Sequence, residues 1–248
     1  MAGKVTIKKD SSLARVLAQR TGDWLGALVD EYLEKNQTQR QDPGWFHPSM
    51  LSNSCDAMLA FAYMGTEGKS FTKARIKRLF AHGHDAEARW QGYIRALGIA
   101  QCHTPEDRLI EIPHLKIRGE LDNIVRNPHT QELYIWDCKT MNTDDWDKLR
   151  APVPSHVIQM HPYMFAKGIL QAMLTYENKN NQDAKHYTIR FDSKLWHSLE
   201  VRLLNIIEQV EKKKLPWRTP LLNDSQCQYY LGNETFSGCS AFSFSEDK

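Results

Sequence analysis

Two acidic residues and a lysine near the middle of the sequence have the types and spacing to do chemistry. The segment Ile117-Arg-Gly-Glu-Leu-Asp122 brings a carboxylate three residues after a glycine, and Ile135-Trp-Asp-Cys-Lys-Thr140 sets Asp137 and Lys139 two apart. Side chains two apart on a strand share a face, so Asp137 and Lys139 point one way and Trp136 and Cys138 the other. A hairpin joining the two segments brings Asp122 beside that face. Two carboxylates and an ammonium on an otherwise apolar sheet are costly to bury uncompensated, and a divalent cation would compensate them. The acid-x-Lys spacing alone carries no weight, because it recurs at Glu67/Lys69, Glu177/Lys179, Asp183/Lys185, Asp192/Lys194, Glu211/Lys213 and Glu246/Lys248. Context singles out Asp137/Lys139: the pair ends an apolar strand, and Gly119-x-x-Asp122 lies one hairpin upstream.

The elements that must position these residues follow from hydrophobic period. Leu13, Val16, Leu17, Trp24, Leu25, Leu28, Val29 and Leu33 recur at helical spacings and predict a helical hairpin or one broken helix over residues 12–33. A polar stretch at 36–44 ends it. Ser49 or Ser52 is the expected cap of a short helix reaching Tyr63. A long helix is expected over 71–97, with Ile76, Leu79, Phe80, Trp90, Tyr93 and Ile94 mostly on its inner side and Gly98 closing it. From 99 to 140 the period becomes extended and predicts two or three antiparallel strands, with a hairpin turn at Asn127-Pro-His-Thr130. Pro152 and Pro154 introduce a helix expected over 155–176. A strand over 185–191 and an amphipathic helix over 195–213 follow, with an exposed loop at 178–183.

Composition sets the outer limits. The chain has 248 residues, 41% hydrophobic, with Lys+Arg 32 against Asp+Glu 30 for a net charge of +2. It can bury a core, so disorder throughout is excluded, and no global basic field announces a polyanion. No apolar run approaches the roughly 18 residues of a membrane span, and the first residues lack a secretory apolar stretch. A cytoplasmic protein with no membrane partner is expected, in a bacterial or infected host cell. Five cysteines, an odd number thinly spread, argue against a disulfide framework.

Over residues 47 to 215 the sequence resembles the PD-(D/E)XK nuclease superfamily, especially its RecB-like branch with phage exonucleases. Five segments carry the resemblance in the family's order. They are His47-Pro-Ser-Met-Leu-Ser-Asn-Ser-Cys55, Gly83-His-Asp-Ala-Glu87-Ala-Arg-Trp-Gln91, Gly119-x-x-Asp122, Asp137-x-Lys139 and Gln159-Met-His-Pro-Tyr163. The chain departs in one place: many relatives carry histidine in the early helix, where this chain offers Glu87, with His84 one turn before. Glu87 is the expected ligand, since a carboxylate oxygen suits magnesium or manganese.

The resemblance implies an α/β fold: a restriction-endonuclease-like core with a small mixed β-sheet of about four or five strands flanked by helices. It implies a helical N-terminal extension (1–44), a nuclease core (45–215) and a C-terminal tail packing on it (216–248). It also implies a metal-dependent deoxyribonuclease, with Glu87, Asp122, Asp137 and the Cys138 carbonyl holding one or two Mg2+ or Mn2+ ions. Lys139 would position the attacking water or stabilise charge on the phosphoryl group, and Gln159 and Tyr163, four apart on one helix face, would orient Lys139 or the DNA. Ser52, Asn53, Lys73, Lys77 and Arg78 are candidate phosphate contacts, and Trp45, Phe46, Trp90 and Trp146 are either base-stacking or core residues. The expected substrate is linear DNA with free ends, in recombination or replication of a phage-like kind, with a recombination protein or a second copy as partner. An endonuclease of a transposition, CRISPR-adaptation or defence system is the alternative, and a non-cutting DNA-binding module the second.

Relatives of this branch often hold an iron–sulfur cluster on one cysteine before the core and three after it. Cys55, Cys227 and Cys239 fall in such places, but the residue three after Cys227 is Tyr230. Three thiolates do not complete a four-cysteine site. A cluster, or a zinc ion with a fourth ligand of another type, is therefore not expected.

Overall fold

The computed structural model describes residues 24–36, 42–66 and 73–216, with the backbone of Tyr230–Gly232 and Ser237–Cys239. The chain divides into two compact units, residues 1–39 with 70–81, and residues 40–69 with 82–248. In the first, helix α1 (Trp24–Lys35) and the start of helix α3 (Ala74–Ala96) are tied by polar contacts. Arg78 pairs with Asp30, Lys77 Nζ donates to the Asn36 carbonyl at 2.9 Å, and the Glu34 carboxylate accepts the Ala74 N–H at 3.3 Å. That last bond satisfies one of the helix's orphan donors. The expected helix over 12–23 lies outside the described residues.

In the second unit a 3-10 turn (Pro48–Met50) precedes helix α2 (Asp56–Tyr63). Its cap is Cys55, not Ser49 or Ser52: the Asn53 carboxamide oxygen accepts the Cys55 N–H at 2.9 Å and turns the chain into the helix. After α3 and the single turn α4 (Pro105–Arg108), strands β1 (Leu109–Ile112) and β2 (Ile117–Glu120) pair antiparallel as a separate ribbon. Gly119 is required there, because a Cβ would fall 2.6 Å from Pro48 Cδ.

The main sheet is mixed, in the order β3 (Asn123–Arg126), β4 (Leu133–Met141), β5 (Gln171–Asn178), β6 (Ala184–Arg190). β3 and β4 form the expected hairpin, Asn123 opposite Trp136, and the Asn127 side chain accepts the His129 N–H at 2.9 Å inside the turn. β4 runs parallel to β5, setting Asp137 beside Leu174 and Lys139 beside Tyr176. Helices α5 (Thr143–Lys148), α6 (Pro154–Lys167) and α7 (Ser193–Glu211) complete the unit. α5 is capped by Asn142 and α7 by Asp192, whose oxygen accepts the N–H groups of Lys194 and Leu195 at 2.8 and 3.2 Å. Two further short strands, β7 (Tyr230–Gly232) and β8 (Ser237–Cys239), pair antiparallel.

Two expectations are corrected. The helix expected over 155–176 stops at Lys167, where Gly168 takes a left-handed conformation (φ 66°) and Ile169 N–H closes onto the Met164 carbonyl at 3.0 Å. The apolar run that follows is β5, an inner strand of the sheet. On α3, Phe80 and Tyr93 are 60% and 52% exposed. Ile94 is buried as expected, with Trp90 packed beside it, and the other inward positions belong to Ala86 and Gln91.

Both faces of the main sheet are covered. Ile135, Leu174 and Tyr176 pack with Met160, Tyr163 and Met164 of α6 and Leu199, Leu203 and Ile206 of α7. Val125, Trp136 and Met173 pack with Trp90 and Ile94 of α3. Each fully buried aliphatic side chain stabilises by about 1.5–3 kcal/mol, enough in sum to hold a few buried charges. Among the described residues no helix is long and apolar enough to cross a membrane.

Candidate active site

Asp137 sits in the middle of β4 with its side chain 3% exposed, on the face that packs against α6 and α7. Lys139 follows on the same face. Its Nζ donates to Asp137 Oδ1 at 3.1 Å and lies 2.8 Å from Oδ2, so both carboxylate oxygens face the ammonium. Burial works against the lysine's charge, but Asp137 outweighs it and raises the pKa above its usual value, so the side chain remains an ammonium.

Asp122 occupies the link between β2 and β3. Its Oδ2 accepts the Cys138 N–H at 2.8 Å, which anchors it beside β4. Two residues that sequence reading did not assign to the site fix this link. Gln91 of α3 donates to the Asp122 carbonyl, and Asn123 donates to Gln91 Oε1 at 2.8 Å while its own oxygen accepts Cys102 N–H at 3.2 Å. Gln91 and Asn123 are 4% and 0% exposed, and a buried amide pair of this kind holds its geometry because every broken bond leaves an unsatisfied polar group.

Glu87 projects from α3, its Oε2 3.9 Å from His84 Nδ1, with the histidine mostly exposed. Asp122 is where the three acids meet electrostatically. Burial first, then repulsion from Asp137 and from Glu87, hold its pKa well above the usual carboxylate range. Burial also raises that of Asp137, against the pull of Lys139. Among the described residues, however, no three Asp, Glu, His or Cys side chains stand as a ready coordination sphere. The carboxylates are coupled without being drawn onto one point. The donor set still suits a hard divalent cation: the three side chains offer only carboxylate oxygens, and those of Asp137 and Glu87 both repel Asp122.

These shifts fix a pH dependence for the metal-free protein. A carboxyl whose folded pKa is raised binds more protons folded than unfolded. Its stabilising effect is full below the unfolded value of about 3.9 and is lost as pH rises through the folded value. Asp122→Asn should therefore flatten the fall in melting temperature as pH rises above about 3.9 in chelator. Thermal denaturation across that range checks this; a variant that parallels the wild type would contradict it.

Gln159 and Tyr163 lie together on α6. Tyr163 donates to the Glu120 carbonyl at 3.0 Å and receives a bond from Gln159, and burial drives its pKa upward. Both line an open cleft of about 350 Å3 with His47, Pro48, Ser49, Met50, Gly119 and Glu120.

The other expected residues fall elsewhere. The Asn53 side chain accepts the Cys55 N–H ahead of α2 and Ser52 is half-buried beside it, while Arg202 of α7 bonds Asp56 and the Leu51 and Asn53 carbonyls. Lys73, Lys77 and Arg78 belong to the first unit. Phe46 is fully buried, Trp90 donates to Glu177, and Trp45 and Trp146 lie under Arg118 and Lys185. Cys55 is buried, Cys227 lies outside the described residues, and Cys239 belongs to β8, where only the backbone is described.

No protein-family model matches the sequence, and no curated protein matches it. Solved structures do match in fold. LHK-Exo in complex with dAMP is 18% identical with a TM-score of 0.51, over 68% of this chain and 89% of that one. LHK-Exo described as an alkaline exonuclease from Laribacter hongkongensis gives 0.48 at 19% identity, over 68% and 89%. A phage-related exonuclease from Haemophilus somnus 129PT gives 0.39 at 15%, over 67% and 82%. The first likeness joins the mixed sheet and its flanking helices to a known architecture: the chain has a restriction-endonuclease-like α/β fold.

Proposed function

We propose that the protein is a metal-dependent deoxyribonuclease that hydrolyses phosphodiester bonds, acting as an exonuclease on the ends of linear DNA. One observation carries the reading: the buried carboxylates of Asp122 and Asp137 repel each other beside the Lys139 ammonium. The fold shared with LHK-Exo, a protein described as an exonuclease, supports it.

Asp122, Asp137, Glu87 and the Cys138 carbonyl are the proposed ligands of Mg2+ or Mn2+. When bound there, such an ion polarises a phosphodiester and lowers the pKa of water. The protein's own groups do the rest. Lys139, kept protonated by Asp137, cannot take a proton near neutral pH, so it acts as a fixed cation that offsets charge gathering on the phosphoryl oxygens. The Asp122 anchor on Cys138 N–H keeps its carboxylate beside β4, and Gln159 and Tyr163 form the cleft wall against which the strand rests.

The test is a time course on end-labelled linear DNA and on a closed circle, with Mg2+ or Mn2+. The reading requires mononucleotides or short products from the linear form and an intact circle. A nicked or linearised circle would convert it to an endonuclease, and inert DNA in both forms would refute it.

A further inference from the structure

His156, Gln159 and Tyr163 follow at i, i+3 and i+7 along α6 and form one stripe on the helix. The first of these has no role in the site as described so far. Tyr176 stands beside Lys139 in the parallel register of β4 and β5, fully buried on the same face. Its hydroxyl oxygen accepts the Val153 N–H at 3.0 Å and meets His156 Nδ1 at 2.9 Å, the two rings 5.6 Å apart and tilted by 31°. With one bond already accepted, the phenol has its own proton left to give, and Nδ1 is the acceptor within reach. This places the imidazole proton on Nε2. Burial first, and then the Lys139 ammonium, pull the pKa of His156 down to about 4, so the ring is neutral. Nε2 has no hydrogen-bond partner among the described residues.

A half-buried histidine held in one tautomer, beside a cationic lysine and on the same helix stripe as Gln159 and Tyr163, which line the cleft, presents a fixed N–H donor. We infer that His156 is a substrate-binding residue that gives its Nε2–H to a non-bridging phosphate oxygen of the strand lying over Lys139. The inference rests on the nuclease reading and deepens it. A neutral donor suits the place: it binds the phosphate without adding a second full charge next to Lys139.

The test measures DNA affinity without turnover, by fluorescence anisotropy of a fluorescein-labelled oligonucleotide in Ca2+, for wild type, H156A and H156Q. H156A should bind about tenfold more weakly, equivalent to about 1.4 kcal/mol, the size of a hydrogen bond to a charged group. H156Q, whose amide can still donate, should recover most of the affinity. Mn2+ affinity by calorimetry should be unchanged in both, which a merely structural histidine would not ensure. If H156A does not fold, H156L against H156Q gives the same contrast. H156A binding DNA as wild type, or losing Mn2+ affinity in parallel, overturns the inference while a cleaving wild type leaves the nuclease reading intact. A wild type that neither binds nor cleaves DNA overturns both.

Discussion

Replacing Asp137 by Asn should abolish DNA cleavage while leaving the protein folded. The carboxylate is 3% exposed and burial raises its pKa, so its charge costs stability when no cation is present. Asn keeps the volume and removes that cost. It also leaves Lys139 without its counter-charge, and the two effects oppose each other, so the melting temperature should move little. Activity should not be spared. A metal ligand contributes several kcal/mol to the transition state, and each 1.36 kcal/mol is tenfold in rate, so a loss of about 10³-fold or more is expected. Initial rates on end-labelled linear DNA at saturating Mn2+, beside a melting curve, make the check. D137N with rates within a few-fold of wild type would remove Asp137 from the chemistry, and an unfolded D137N would assign it to structure.

Lys139→Met should cost about 10²–10³-fold in the rate of cleavage, the range for losing one preorganised group that stabilises developing charge. Methionine keeps much of the aliphatic stem and drops the ammonium. Asp137 then loses its salt bridge while Asp122 still repels it, so the site becomes more negative. Mn2+ affinity should hold or rise while turnover falls. This separation distinguishes the lysine from the acids, whose loss should remove metal affinity and turnover together. Lys139→Arg should not restore the rate, since the planar guanidinium does not reproduce a compact point charge. Single-turnover rates beside calorimetric Mn2+ titrations decide it; K139M cleaving like wild type would contradict the assigned role.

The parts legible in the sequence were those with local signals. The alternation around Asp137 and Lys139, the Asn127 turn and the hairpin it closes all lie within a short stretch, and the structure reproduces them. β5 was hidden because Ile169 to Tyr176 is apolar on both faces, a pattern that fits a buried strand and the continuation of a helix alike. The signal that could have divided them was Gly168, which ends α6 with a positive φ. The facing of α3 was misread because its inward positions include Ala86 and Gln91, and neither counts as a large hydrophobe. Gln91 and Asn123 escaped as site residues for a different reason. They are 32 positions apart, and their value lies in a contact that exists only once α3 and β3 have packed. The contact between His156 and Tyr176, 20 positions apart, arises in the same way.

The most direct measurement is a calorimetric titration of the protein with Mn2+ in the absence of DNA, comparing wild type with D122N and D137N. Saturable binding of one or two ions by wild type, lost or weakened at least tenfold in each variant, is the predicted result. Equal Mn2+ binding by all three proteins, or none by any, would show that these carboxylates do not hold the ion on which the proposed hydrolysis depends.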